Sequence, residues 1–127
     1  MSALNVPCEF MTFVITFNEG DYYTCHDLLE EIWLTDRQNL FVKGLLQLSV
    51  SLYHYGYGNV KGSRSMMKVS YHYLDGYRPQ HWGLDVEHIL AFIVRCLSII
   101  PQDIDSVPFE NVKELPELPR LILTVRQ

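Results

Sequence analysis

The 127 residues carry 48% hydrophobic, 20% charged and 13% aromatic side chains, which suits one domain with its own core and excludes a disordered chain. A formal net charge of −5 excludes the basic footprint of a general nucleic-acid binder. With no long apolar run, and no basic leader followed by an apolar stretch in the first residues, neither a membrane span nor a secretory signal is expected, and the expected setting is cytoplasmic.

Pro7 can open a first helix, because its missing amide falls among those a first turn leaves unbonded. Phe10, Phe13, Val14 and Phe17 then share one face, and Asn18, Glu19 and Gly20 end the element. Asp21 is placed to cap a second helix, Tyr22 to about Leu34, by accepting from the free amides of its first turn. At 100° per residue Tyr22, His26, Leu29 and Trp33 fall together, which predicts an inward-pointing His26. Glu30 borders that face, Cys25 lies off its centre, and Asp27 and Glu31 point to solvent.

After the polar break Thr35 to Asn39, a third helix over about Leu40 to Tyr57 is apolar around most of its circumference and belongs in the middle of a bundle. Its remaining stripe carries Lys43, Gln47, Ser51 and His54. Gly56 and Gly58 stop it, and Asn59 can cap a fourth helix, Val60 to about Asp75. The buried face predicted there is Met66, Val69, Tyr73 and Tyr77, with Gly62 permitting close approach. Lys61, Arg64 and Lys68 form a solvated face in preference to a phosphate-binding stripe.

A loop holding Gly76, Pro79, Trp82 and Gly83 leads to Asp85, the cap of a fifth helix. Its core face is Val86, Ile89, Leu90, Ile93 and Leu97, with Leu84 and Ile89 spaced as a hydrophobic staple. Pro101 closes that helix, and Pro108, Pro116 and Pro119 forbid another long one. The run Leu121 to Val125 reads as an extended tail strapped across the bundle. The predicted fold is therefore all-α: one domain over 1–127, with a five-helix bundle in 1–100 and an extended tail in 101–127. Cys8, Cys25 and Cys96, an odd count without CxxC spacing, read as small buried hydrophobes in a reducing compartment.

The segments FNEGDYYTCHDLLEEIW from Phe17 and YGYGNVKGSRSMMKVSY from Tyr55 match in pattern at a period of 38. Gly20 corresponds to Gly58, Asp21 to Asn59, and the small Cys25 to the small Ser63. Two helical hairpins of like design, plus a fifth helix, resemble degenerate tetratricopeptide pairing, whose period is roughly 34 residues. The tryptophan and proline of that consensus are absent, so the likeness concerns hairpin geometry.

Buried polar groups need partners, and the predicted cluster is His26, Glu30, Gln47 and His54, with Tyr22 or Tyr23 at its edge. One reading makes it a hydrogen-bond network that fixes hairpin register. The other gives His26, Glu30 and His54 a divalent metal or acid–base work. HDLLE lacks the second histidine of HExxH, so no metal or other cofactor is assigned. No GxSxG, phosphate-loop or dinucleotide motif occurs, and His72, His81 and His88 are scattered.

The stretches FNEGDYYTCHDLLEEIW, FVKGLLQLSVSLYHYGYGNVKGSRSMM, LDGYRP and ELPRLIL resemble the small helical family called domain of unknown function 309, in the form typical of photosynthetic bacteria. Its pattern runs FNxGxYYxCHDxLExxW, GLLQxxVxxYH, GNxxGA and a Leu-Pro-rich end. The resemblance implies a helical bundle and places Tyr22, Tyr23, His26, Asp27, Glu30, Trp33, Gln47, His54 and Asn59 on motif positions. Ser49 and Ser63 stand where the family usually has alanine, and both preserve small size. No reaction is implied. The expectation is a non-enzymatic scaffold or interaction protein with a protein partner. The alternative is a hydrolase or small-ligand binder working through His26, Glu30 and His54, and Tyr71, Tyr73, Tyr77 and Trp82 could form a homodimer face.

Overall fold

A computed structural model describes residues 6–126; residues 1–5 and 127 of the predicted single domain lie outside the described residues. Five α-helices follow in order: α1 (Cys8–Asn18), α2 (Tyr22–Thr35), α3 (Leu40–Gly56), α4 (Val60–Asp75) and α5 (Val86–Ile99). Each packs chiefly on its neighbours in the chain, with α3 in the middle. The predicted all-α bundle, with its extended tail, is the observed architecture.

Local chemistry fixes the helix starts. Asp21, Asn39, Asn59 and Asp85 each accept a hydrogen bond from the amide three residues on, satisfying a donor the helix itself leaves free. The hairpin repeat is carried down to single bonds. In the first unit Gly20 (φ +84°) donates to the Phe17 carbonyl and Asp21 to the Thr16 carbonyl; in the second, Gly58 (φ +90°) donates to Tyr55 and Asn59 to His54. The small residues meet the preceding helix at equivalent places as well. Cys25 Sγ lies 3.8 Å from the Phe13 carbonyl, and Ser51 Oγ, 38 residues after Phe13, donates at 2.7 Å to the carbonyl of Ser63, 38 after Cys25.

The α3–α4 contact corrects the predicted α4 face. Its buried residues are Val60, Ser63, Met67, Ser70 and Leu74, whereas Met66, Val69 and Tyr73 are half-buried, as is Tyr77 beyond the helix. Serines can face inward because α3 supplies partners: Ser63 meets Ser51, and Ser70 Oγ donates to the Gly44 carbonyl at 2.7 Å. Hydroxyls satisfied in this way allow closer helix approach than a row of large apolar side chains would. The space beside Gly62 is filled by the capping side chain of Asn59, not by a neighbouring helix.

Two features of the connecting segments were not predicted. Gln80–His81 and Leu84–Asp85 pair as a minimal antiparallel hairpin, β1 and β2, around Trp82 (φ +50°) and Gly83 (φ +79°). Positive φ at both turn residues suits a two-residue hairpin, and Trp82 is held there by edge-on contacts with Phe10 and Phe41. The tail also contains a short 3-10 helix, Phe109–Glu114.

The strap itself forms as expected. The Asn18 side chain bonds both the carbonyl and the amide of Leu123, Leu121 and Leu123 are buried, and the Arg126 amide donates to the Gly83 carbonyl. Earlier in the tail, Tyr55 donates its hydroxyl to the Pro116 carbonyl and the Val107 amide donates to Gly58. Arg64, predicted on a solvated face, instead reaches the Pro101 and Ile104 carbonyls and pins the start of the tail.

Cys25 and Cys96 are buried as expected, and Cys8 is exposed at the start of α1, contrary to expectation. Burial pushes both inner thiols up to about 12, so they stay neutral and unreactive. In the folded protein at pH 8, iodoacetamide is expected to alkylate Cys8 alone; rapid labelling at either inner position would contradict this burial. Unfolded thiols ionise near pH 8.5, so the stability these two contribute is whole below that value and declines as the pH rises toward about 12.

Candidate functional site

The residues singled out on α2 and α3 lie together on one outer groove and not in the core. On α2 the buried residues are Cys25, Leu29 and Ile32, which rotates the helix from the predicted phase and carries His26 to the border. The cause is Cys25: this small side chain occupies the centre against α1, the place that the apolar pattern gave to His26. The His26 side chain is 37% exposed. Its polar contacts are to its own helix, with Nδ1 3.4 Å from Asp27 and Nε2 3.4 Å from Glu30, itself 49% exposed. A semi-buried network linking His26, Glu30, Gln47 and His54 does not form.

Two contacts set the register of the groove. Tyr23 meets Tyr53, with ring centroids 5.4 Å apart, and ten residues along α2 and ten back along α3 the Trp33 ring lies 4.3 Å from Lys43 Nζ. Counting inward from these pairs places His26 level with Val50 and Glu30 level with Leu46, one residue from Gln47. Gln47, like Lys43 and His54, is half-buried on this side of α3, while Ser51, assigned to the same stripe from sequence, turns inward to α4.

His26 and His54 do share a lining. A small apolar cleft of about 200 Å³ is bounded by Tyr23, His26, Val50, Tyr53 and His54. His54 Nδ1 is 3.4 Å from the side-chain Nδ2 of Asn59, which sets that ring beside the α4 cap. No group of three or more His, Cys, Asp or Glu side chains able to hold a metal occurs among the described residues, so His26, Glu30 and His54 are not assembled as a ligand set.

Tyr53 and Tyr57, not singled out as site residues from the sequence, join Tyr23 at one end of the groove. Tyr23, Tyr53, Tyr57 and Phe109 form a run of rings with successive centroids 5.4, 4.6 and 5.2 Å apart. Three of the four are largely in solvent: Tyr23 at 57%, Tyr57 at 56% and Phe109 at 63%. The Tyr53 phenol is held above its usual ionisation range by lost hydration and by the adjoining Tyr57 and Tyr23. The four-residue spacing of Tyr53 and Tyr57 was a legible sign of a shared helical face. Phe109 reaches it only through the path of the tail.

Beside the smaller cleft is a larger one of about 350 Å³, lined by Gly20, Asp21, Tyr22, Tyr23, Leu52, Tyr53, Gly56 and Tyr57. Asp21 sits there as the α2 cap, held below the usual carboxylate range by the Thr24 hydroxyl at 2.7 Å and the Thr24 amide at 3.1 Å. At the far end of the groove, Trp33 packs partly on the core, while Arg37 and Lys43 cover its ring. The other suggested surface is less open: Tyr71, Tyr77 and Trp82 are partly buried against the core, with Tyr77 and Trp82 touching Phe41.

Residues 10–66 match the family described as "Domain of unknown function (DUF309)". That span contains α2 and α3 whole, hence both walls of the groove. The chain is also similar to "Uncharacterized protein YpuF" of Bacillus subtilis (strain 168), at 29% identity over 105 residues, which cover 80% of this chain and 59% of that protein. The match thus takes in less than two thirds of that relative's length. Both findings support the family resemblance carried by the motifs. No solved structure matches. Among the described residues no helix is long and apolar enough to cross a membrane.

Proposed function

We propose that the chain is a non-enzymatic, cytoplasmic protein-interaction module that receives a peptide segment of its partner in the α2–α3 groove. The observation that carries this reading is the run of solvent-facing rings, Tyr23, Tyr53, Tyr57 and Phe109, leading into the cleft shared by His26 and His54. Exposed aromatic side chains bring large contact area with few rotatable bonds, which is why they serve as anchors at interfaces. The chemistry of the groove supports binding over catalysis. Its imidazoles and phenols have no activated nucleophile beside them, since the inner thiols are buried and Cys8 lies on α1.

Peptide display against the intact chain tests the reading. Selected ligands are expected to lose at least roughly tenfold in affinity on Tyr23→Ser/Tyr57→Ser, two exposed positions whose change leaves the melting temperature near its original value. Val94→Ser, exposed on α5, should leave binding unaltered. Selected peptides that bind the double variant as well as the parent would place the interaction elsewhere.

A second reading, small-ligand binding or hydrolysis, is favoured by one observation: His26 approaches Glu30 at 3.4 Å beside a cleft it shares with His54. A turnover screen with ester and phosphoester substrates distinguishes it, because only that reading requires a rate that falls with His26→Gln.

A further inference from the structure

We propose that the tyrosine-lined cleft is the receptor for a cationic side chain, arginine or lysine, of the partner peptide; the proposal rests on the groove being the interaction surface. The cleft has the parts such a side chain needs. Tyr22, Tyr23, Tyr53 and Tyr57 line it, Leu52 contributes apolar surface, and Gly20 and Gly56 add no side chain to its rim. The faces of tyrosine rings carry negative potential and attract an organic cation that lies against them.

Fixed charge points the same way. Asp21 lines the cleft, and its hydrogen bonds from Thr24 keep it ionised. The same bonds occupy the amino end of α2, which would otherwise favour an anion. The opposite wall is the last turn of α3, where the carbonyl end of the helix favours positive charge. Further along the groove Asp27 and Glu30 are exposed, and the chain as a whole carries −5.

The protein already uses this chemistry at the other end of the groove, where Lys43 and Arg37 lie over the Trp33 ring at 4.3 and 5.5 Å. Among the described residues both cation-over-ring pairs are at Trp33, and the tyrosine end has the rings and the carboxylate without the cation. One basic group, Arg120, lies beside Gly20 and Tyr22. Its guanidinium donates to the Asn18 carbonyl, and the side chain does not line the cleft. Arg120 therefore opposes a bound cation from the rim without occupying its place.

The test titrates the full chain at low ionic strength with the blocked peptides Ac-Gly-Arg-Gly-NH2 and Ac-Gly-Lys-Gly-NH2, following the tyrosine ring signals by NMR. Ac-Gly-Gln-Gly-NH2 and inorganic phosphate serve as controls. Saturable shifts at Tyr22, Tyr23, Tyr53 and Tyr57 are expected with the two cationic peptides and with neither control. Asp21→Asn keeps a competent helix cap while removing the charge, and should weaken binding at least roughly threefold. Tyr53→Leu should weaken it at least roughly fivefold, and Arg120→Gln should tighten it roughly twofold.

Equal binding of the glutamine peptide, ring shifts with phosphate, or indifference to both Asp21→Asn and Tyr53→Leu would overturn the proposal. Display-selected peptides that require Tyr23 and Tyr57 yet contain no lysine or arginine would also overturn it, while leaving the groove as the interaction surface. Cation binding here without any groove-dependent peptide would sustain the cleft's chemistry and refute the wider reading.

Discussion

Gly58→Ala is expected to cost about 3 kcal/mol and to lower the melting temperature by roughly 10 °C. The residue has φ +90°, and a Cβ there would overlap the carbonyl oxygen of Val107. Accommodating a methyl group means moving the tail, which breaks the bond from the Val107 amide to the Gly58 carbonyl and strains the adjoining bond from Lys61 to Asp105. Two other glycines calibrate the result. Gly20 has a similar φ of +84°, but its nearest neighbour is the Arg120 guanidinium at 3.4 Å, which can move aside, so alanine should cost only about 1 kcal/mol. Gly56 is helical with nothing within 4 Å, and alanine there should stabilise by about 0.5 kcal/mol. Urea melts of the three variants check the order; a Gly58→Ala protein no weaker than Gly20→Ala would show that the tail does not press on this turn.

Ser63→Leu should be nearly as damaging, at about 3 kcal/mol, because it forces the α3–α4 crossing apart. Ser63 has no exposed surface and lies 3.1 Å from Ser51, whose hydroxyl also donates to the Ser63 carbonyl. Ser63→Ala removes only one hydroxyl contact, leaves the carbonyl bond in place, and should cost about 1 kcal/mol or less. The contrast between the two, read from denaturant unfolding, isolates volume from polarity. Equal losses would mean that the crossing is held by its hydroxyls and not by its close fit.

These serines show why the helix faces were harder to read than the helices. Asp21, Asn59 and Asp85 were legible as caps because a short acceptor before a free amide acts locally. The inward face of a helix depends on the neighbour across from it. Cys25 and Ser63 belong in the interior because Phe13 and Ser51 lie opposite at matching places in the repeat, whereas an apolar count ranks Tyr22, His26 and Trp33, or Met66 and Tyr73, above them.

The site was legible to a similar depth. His26 and His54 share a cleft, and His26 adjoins Glu30, so the grouping had physical content. Its placement did not follow from composition or phase, since rotating α2 about its axis turns an interior network into a surface groove. The aromatic end was still less accessible. Phe109 reaches Tyr57 through the course of the tail, and that course is set by contacts such as Asn18 with Leu123, which lie 105 residues apart in the chain. No local pattern encodes such a meeting.

The strap has a consequence for cooperativity. Helical hairpins stacked in series touch only their neighbours, so such arrays can lose a unit at one end while the others persist. Here one tail holds the end of α1 through Asn18, the end of α3 through Tyr55 and Gly58, α4 through Arg64, and the β-turn before α5 through Gly83. These ties add to contacts, such as Phe10 with Trp82, that already join elements far apart in the chain. They turn a linear stack into a closed one, in which fraying at either hairpin is resisted by the whole chain.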